Sequence, residues 1–167
     1  CFVKKEQLVR HEFEPVYDKN SEFLILGSFP SVKSREQGFY YGHPQNRFWK
    51  VLAAIVQEKI PDSIEEKKEM LLRNHIAVYD VVWQCKIIGS SDSSIKDVVP
   101  ADVTTIVENS KIRKIYANGK LAEKLFAKYQ EKKVGIKAMG LPSTSPANAA
   151  YSLERLVEIW SEQIRQK

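Results

Sequence analysis

A short apolar run, Phe23–Leu26, is the sequence feature that most constrains the fold, and Gly27 follows it directly. A run this short, apolar at every position and bounded by glycine, is typical of a strand inside a parallel sheet, where helices cover both faces. A loop rich in polar and aromatic residues comes next. Ligands bind beside such loops, at the carboxyl ends of parallel strands. The run therefore predicts a sheet and also the edge at which a site would lie.

Helical and extended patterns alternate along the rest of the chain. Further strands are predicted over 76–82, 112–116 and 134–139, and helices over 46–58, 64–74, 101–109 (a weaker signal), 120–130 and 148–165. Residues 1–22 are predicted to be a lead-in, and 83–94 a loop. Strands separated by helices imply right-handed crossovers, so the predicted fold class is α/β, a three-layer α/β/α sandwich with a central four-stranded parallel sheet. One domain over 1–167 is expected.

Composition excludes several classes of protein. Two cysteines, Cys1 and Cys85, are too few for a four-cysteine zinc or iron–sulfur site. Few cysteines and no secretory signal pattern favour an intracellular, cytoplasmic protein. The three histidines show no metal-ligand spacing, and no apolar run approaches the ~20 residues of a membrane span. The net charge of +5 is compatible with a polyanionic partner.

Fingerprints of nucleotide cofactors are missing from the loop after the first strand. Residues 27–30 do not form GxGxxG, and neither a P-loop nor a GxSxG elbow occurs. The motifs present are GSFPS from Gly27, YYGHPQNRFWKV from Tyr40 and LPSTSPAN from Leu141. Together they resemble the uracil-DNA glycosylase superfamily over about residues 23–152. They look most like its deoxyinosine (hypoxanthine) DNA glycosylase branch, with similarity also to the mismatch-specific branch.

The resemblance implies a monofunctional enzyme of base excision repair. Such an enzyme would cut the N-glycosidic bond of a deaminated base, with hypoxanthine the base that the resemblance favours, and leave an abasic site. Its partner would be DNA containing a deaminated base, with no membrane partner, and we expect a monomer. The resemblance implies no cofactor, no metal and no lyase lysine. Two alternatives stay open: a uracil or mismatch-specific glycosylase, and a non-catalytic protein that binds damaged DNA.

One position departs from the mismatch-specific pattern. Where those enzymes carry an asparagine that positions the attacking water, this chain carries Phe29, which cannot orient water. The resemblance to the deoxyinosine branch makes Asn46 the catalytic candidate. Its amide could accept a hydrogen bond from a water and orient that water toward the anomeric carbon. Asparagine just before an apolar run is also a favoured helix N-cap, so capping is the competing interpretation.

Aromatic and polar residues near the motifs are candidates for holding the base. A base stacked on an aromatic ring gains roughly 1–3 kcal/mol, and the resemblance favours Tyr41 for this role. The predicted base-binding residues are Phe29, Tyr40, Tyr41, His43 and Asn118. Core packing of the aromatic residues, a loop-fixing role for the histidine and an Asn-Gly turn are the structural alternatives.

Two loops carry candidates for contacts with the DNA backbone. Hydroxyl groups there could grip the phosphates beside a flipped nucleotide, prolines stiffen the second loop, and Leu141 could wedge into the vacated stack. The predicted backbone or wedge residues are Ser31, Ser34, Leu141, Pro142, Ser143, Thr144 and Ser145. A row of lysines at 120, 124 and 128 is either a solvated helix face or a stripe along DNA.

Overall fold

The structure is a computed structural model, and it describes residues 6–89 and 92–164. The strands are β1 (Gln7–Arg10), β2 (Phe23–Gly27), β3 (Ile76–Asp80), β4 (Val82–Ile87), β5 (Lys96–Pro100), β6 (Lys114–Asn118) and β7 (Ala138–Leu141). The helices are α1 (Val32–Gln37), α2 (Phe48–Val56), α3 (Ile64–Arg73), α4 (Val103–Glu108), α5 (Lys120–Tyr129), α6 (Glu131–Val134) and α7 (Leu153–Ile164), with a 3₁₀ turn over Asp92–Ser94.

Four parallel strands form a central sheet in the order β3-β2-β6-β7, with helices around it. Leu24, Ile25 and Leu26 of β2 are fully buried, because the sheet is covered on both faces. The register places Gly27 beside Asp80 on the neighbouring strand, so these strands end at the same level. The predicted α/β class and four-stranded parallel sheet are confirmed.

A second sheet was not predicted. It is antiparallel, has three strands in the order β1-β4-β5, and takes β1 and most of β4 from segments that we expected to be a lead-in and a loop. The predicted strand over 76–82 breaks after Asp80, and the chain continues from Val82 into β4. Burial along β4 is irregular, and β1 is largely exposed, so neither strand shows a clean period-2 pattern in the sequence.

Several element boundaries also differ from the prediction. The fourth strand begins at Ala138 rather than at 134, because the chain first forms α6 and turns at Gly135 with φ of 78°. The loop after β2 contains α1, which Ser31 caps. The first and last predicted helices begin later than expected, at Phe48 and Leu153.

Predictions for residues 1–5, 90–91 and 165 lie outside the described residues. In the part of the chain that is described, no helix combines the length and the apolar character needed to cross a membrane.

Candidate active site

A cavity of about 510 Å³ lies where three neighbouring strands of the central sheet end. Gly27, Asp80 and Asn118, the last residues of β2, β3 and β6, form part of its lining. The loops that follow β2 and β7 supply most of the other walls. The volume falls within the ~300–1,000 Å³ typical of small-molecule sites. The cavity lies at the sheet edge where the sequence predicted a site.

Asn46 lines this cavity, and its carbonyl oxygen is engaged within the protein. Oδ1 accepts a hydrogen bond from the backbone N–H of Phe48 at 2.9 Å and another from the hydroxyl of Thr144 at 2.8 Å. A backbone N–H can only donate, which fixes the orientation of the amide, and two donors occupy both lone pairs of the oxygen. The N-cap residue of α2 is Arg47, so Asn46 does not cap the helix as the competing interpretation predicted, and its oxygen instead closes a turn directly before α2. The oxygen has no lone pair left for the water that we expected it to orient, and Nδ2 is the group that remains to act on a ligand.

Thr144 is the centre of a small hydrogen-bond network. Its side chain is fully buried, its Oγ1 accepts from Nδ2 of Asn118 at 3.0 Å, and its backbone N–H donates to Oδ1 of Asn118 at 3.0 Å. With its bond to Asn46, the hydroxyl acts as both donor and acceptor. The predicted phosphate contact of Thr144 is therefore wrong, because the hydroxyl is inaccessible. Both bonds of Asn118 tie β6 to the loop after β7, a structural task that the sequence did not reveal.

Arg47 holds a loop that forms one wall of the cavity, and the sequence analysis did not identify this role. Its guanidinium donates to the carbonyl oxygens of Ser145 and Asn148, both at 3.0 Å, and to that of Tyr151. All three acceptors lie in residues 142–152, which we call the site loop. The sequence shows that Arg47 directly follows Asn46. It cannot show that the guanidinium binds backbone carbonyls about a hundred residues away, because a backbone acceptor requires no particular residue type.

The site loop has two further attachments. The backbone N–H of Arg47 donates to the carbonyl of Thr144 at 3.1 Å. Trp160 of α7, which is fully buried, donates its indole N–H to the carbonyl of Pro142 at 2.9 Å. The loop is thus held against both α2 and α7, as its prolines led us to expect of a stiff segment.

Tyr41 presents an aromatic ring to the cavity. The ring stacks on Phe48 with centroids 3.9 Å apart. The backbone of Tyr41 has a φ of 52°, a value that residues other than glycine rarely adopt. Its hydroxyl is buried, without a hydrogen bond of normal geometry in the described part of the chain. Burial, and then the charge of Asp80, raise the pKa of Tyr41 far above that of a free phenol, while an interaction with the Asn118 side chain acts to lower that pKa. Residues other than glycine whose backbone lies in this region cluster at functional sites.

Tyr40 and Phe29 also line the cavity but are mainly core residues. Tyr40 is 1% exposed and donates its hydroxyl to the carbonyl of Glu14 at 2.8 Å, so the predicted stacking role of Tyr40 is contradicted by its burial. Phe29 is 9% exposed and lies edge-on to His11, with the guanidinium of Arg35 5.6 Å from its ring centroid. Phe29 therefore closes the cavity as an apolar wall.

The polar residues of the loop after β2 mostly fix that loop. Ser31 accepts from the backbone N–H of Ser34, whose buried hydroxyl accepts from Gly42 at 2.9 Å and from Ser31 at 3.1 Å. The predicted phosphate contact of Ser34 is wrong for that reason, while Ser31 is a cap that stays partly exposed. Nδ1 of His43 accepts from Gln45 at 3.1 Å, which leaves Nε2 as the N–H donor of that ring.

Leu141 cannot act as the predicted wedge. It is the last residue of β7, pairs with Asn118 and is 3% exposed, so it would have to leave the core to reach DNA. In the site loop, Ser143 and Ser145 accept hydrogen bonds from backbone N–H groups two residues further on, yet both stay partly exposed. Their predicted backbone contacts, and that of Pro142, stay predictions.

A buried pair of titratable residues at the cavity, His11 and Asp80, was also missed. Nε2 of His11 lies 2.8 Å from Oδ2 of Asp80, and the two side chains are 0% and 5% exposed. His11 comes from the segment before β2, which offered only isolated apolar residues as a sequence signal. Within residues 6–89 and 92–164, no group of three or more potential metal-ligating side chains occurs.

Gly27 makes room for this pair, so Gly27→Ala should be destabilising. A Cβ there would lie 2.5 Å from Oδ1 of Asp80 and 3.0 Å from the hydroxyl of Tyr41. Because His11 holds the carboxylate, it cannot swing away, and overpacking of this kind costs about 1–3 kcal/mol. Urea denaturation should show a free energy of unfolding lower by that amount.

Gly140→Ala is the matched control for this substitution. Its Cβ would also lie 2.5 Å from a carboxylate oxygen, that of Glu123, but this side chain is longer and Gly140 is exposed. We expect a change below about 0.5 kcal/mol there, as for an ordinary surface substitution. Equal losses in the two variants would contradict the idea that the His11–Asp80 pair is rigid.

Comparisons with known proteins agree with this architecture. The model of the Uracil DNA glycosylase superfamily matches residues 14–163. A protein of Methanosarcina acetivorans named Hypoxanthine DNA glycosylase is 35% identical over 162 residues, which cover 95% of this chain and 99% of that protein. A protein of the same name from Methanosarcina barkeri is 43% identical over 86 residues, 51% of this chain and 54% of that protein.

A solved structure shows the same fold. It is the solution NMR structure of a Methanosarcina acetivorans protein that was provisionally named a uracil DNA glycosylase. The two structures superpose with a TM-score of 0.77 at 32% sequence identity, and the match covers 93% of this chain and 98% of that one.

Proposed function

This chain belongs to the Uracil DNA glycosylase superfamily, and from that premise we propose that it removes hypoxanthine from deoxyinosine in DNA by hydrolysing the N-glycosidic bond. One observation carries the proposal: a cavity at the carboxyl edge of the sheet whose lining combines Asn46 with the aromatic ring of Tyr41. Two relatives that carry the name Hypoxanthine DNA glycosylase support the choice of base.

Base removal requires the target nucleotide to leave the DNA stack and enter the cavity. The bond between the sugar and the base then breaks, its electrons pass to the base, and a water oxygen adds to the anomeric carbon. Because the sugar becomes cation-like and the base anion-like, groups that are already oriented in the cavity can lower the barrier without strong acid–base chemistry. No lysine is among the described residues that line the cavity, which favours hydrolysis over a lyase reaction.

Asn46 would act through its Nδ2 hydrogens. Since Oδ1 is occupied by Phe48 and Thr144, the amide offers the cavity only donors. A fixed donor beside the departing base stabilises the negative charge that develops on it. This differs from the water-orienting role expected from the sequence, and it makes Asn46 a residue that assists the leaving group.

A second groove of about 460 Å³ continues from the cavity toward the start of α5, and it would hold the DNA strand beside the extruded nucleotide. Lys120, Ser143 and Ser145 line it, together with Asn148 and Tyr151 of the site loop. A lysine and hydroxyl groups suit phosphates, and the net charge of +5 favours binding to a polyanion. We take the acting form to be an intracellular monomer on DNA.

The test is incubation with labelled duplexes that carry a single deoxyinosine, a single deoxyuridine or no lesion, followed by alkali to cleave abasic sites. We expect strand cleavage with deoxyinosine, a lower rate with deoxyuridine and none with the undamaged duplex. Cleavage of the uracil duplex alone would replace the base assignment with the uracil or mismatch alternative. Binding without cleavage on every lesion would favour the non-catalytic alternative, which Phe29 at the water-positioning position motivates.

A further inference from the structure

We propose that the outer face of the antiparallel sheet binds single-stranded DNA, with a base stacked on Trp83 and phosphates held by lysines of β4 and β5. Six exposed or half-buried residues of the described chain define this outer face: Leu8, Arg10, Trp83, Lys86, Lys96 and Val99. The six line neither the cavity nor the groove beside it, so the surface is separate from the proposed site of base removal. Only the choice of DNA over RNA rests on the proposed function.

The register of the strands places five of these residues on one side of the sheet. Leu8 and Lys96 both lie opposite Lys86, while Arg10 and Val99 both lie opposite the residue two positions before it. Directly opposite residues, and residues two positions apart on one strand, point to the same side of a sheet. The β4 side chain between those two positions is fully buried, so the face that carries the five is the one turned to solvent.

Trp83 reaches this face because β4 bulges there. Simple alternation along the strand would turn Trp83 toward the buried side. The register shifts at this point, however, since the step from Val82 to Gln84 is two residues in β4 but only one in β5. Trp83 is 39% exposed, and the guanidinium of Arg10 lies 5.7 Å from its ring centroid. Bulges re-aim side chains in this way, and here the result is a large aromatic surface offered to solvent beside a cation.

The positive charges of the face are arranged to receive a phosphate. Lys86 and Lys96 lie directly opposite each other, an arrangement in which like charges repel. Asp97 lies 3.3 Å from the first and Glu6 lies 2.7 Å from the second, but all four side chains are at least a third exposed, and such pairs contribute little stability. A phosphate between the two ammonium groups would remove their repulsion. With Arg10, the face carries three cations to two carboxylates, so its charge favours a polyanion.

The combination of an exposed tryptophan with cations fits single-stranded DNA better than a duplex or a protein. Bases stack on aromatic rings whatever their sequence, but in a duplex their faces are covered by neighbouring bases, so only a single strand can offer one to Trp83. A protein partner would need a continuous apolar patch. Leu8 and Val99 are exposed on the two edge strands, but Gln84 and Lys86 of the central strand separate them.

The first test measures the binding of oligothymidine without any lesion, by tryptophan fluorescence and by the dissociation constant. Trp49 and Trp160 are 5% and 0% exposed, so quenching that is lost in Trp83→Leu reports a base on Trp83. We expect quenching in the wild type and a dissociation constant at least about 5-fold higher in Trp83→Leu, as for the loss of one stacked base. Trp83→Phe keeps an aromatic ring and should retain most of the binding.

The second test changes charge and leaves Trp83 in place. In the double variant Lys86→Gln/Lys96→Gln, the slope of the logarithm of affinity against the logarithm of salt concentration should fall in size by about 1.4, since each phosphate contact on a single strand contributes about 0.7. The matched control is Lys111→Gln/Lys132→Gln, which removes two exposed lysines outside both sheets and should leave the slope at its wild-type value. Thermal denaturation checks that each variant is folded.

The inference is overturned if oligothymidine leaves the emission unchanged, if Trp83→Leu binds as tightly as the wild type, or if the two lysine variants change the slope equally. Tighter binding of oligouridine than of oligothymidine would overturn the choice of DNA. Duplex excision of deoxyinosine by Trp83→Leu should match that of the wild type, because Trp83 lies outside the cavity. A wild-type protein that cuts no lesion contradicts the proposed function, while the result with oligothymidine still decides the role of the outer face.

Discussion

Asn46→Asp is expected to reduce excision of deoxyinosine by about 100- to 1,000-fold while leaving the protein folded, since removal of one preorganised donor has effects of this size. Aspartate can accept from Phe48 and Thr144 just as Oδ1 of Asn46 does, and it forms this kind of turn as readily as asparagine. What it cannot do is donate, and its charge would repel the anionic leaving base. Single-turnover excision assays and thermal denaturation measure the two effects separately.

The companion variant Asn46→Ala distinguishes the two tasks of this residue. It removes the acceptor for Phe48 and Thr144 as well as the donor, and buried groups that lose a partner cost about 1–3 kcal/mol, so the free energy of unfolding should fall by about that amount in addition to the loss of excision. Ser63→Ala, which removes the side-chain acceptor at the start of α3 away from the cavity, is the control for losing a local acceptor alone. If Asn46→Asp keeps or exceeds the wild-type rate, Asn46 works as an acceptor for water and our assignment of its role is wrong.

Thr144→Val should both destabilise the protein and slow excision. Valine keeps the shape of threonine but leaves Asn46 and Asn118 without the buried hydroxyl that joins them. Buried groups that lose a partner cost about 1–3 kcal/mol, which lowers the melting temperature by several degrees in a chain of this size. Excision should fall at least about 10-fold, because Asn46 loses one of the two bonds that orient its amide.

The control for Thr144→Val is Thr105→Val in α4. The hydroxyl of Thr105 donates to Asp102 at 2.6 Å, but both residues are exposed and can bond to water instead. Its loss should change the free energy of unfolding by less than about 0.5 kcal/mol, with excision unchanged. Similar melting temperatures for the two variants would contradict the central place of Thr144 in the network.

The central sheet and the location of the site were predictable because they depend on local patterns. Leu24 and its neighbours form a short apolar run whether or not the rest of the chain is known, and parallel strands place the loops after them at one edge. The motif containing Asn46 was equally visible. The antiparallel sheet was not, because β1 and β4 are exposed or irregular and draw their stability from pairing with each other.

The roles of individual side chains depended on partners that the sequence does not connect. Asn46 and Thr144 lie 98 positions apart, and His11 and Asp80 lie 69 positions apart. A motif shows that an asparagine is present, but only the fold shows which of its atoms are occupied. Leu141 was misplaced for a related reason: the strand extends to it, and its side chain points into the core rather than into solvent.

The attachments of the site loop determine which molecule must change shape when the complex forms. Arg47 and Trp160 already hold the loop in the free protein, so little ordering is left to occur on binding. The deformation then falls on the duplex, which has to unstack and unpair one nucleotide. Because the binding site changes shape so little, the rate at which each base enters it depends on how readily its base pair opens. A poorly paired lesion is therefore favoured twice, first by how often it leaves the helix and then by what it meets in the cavity.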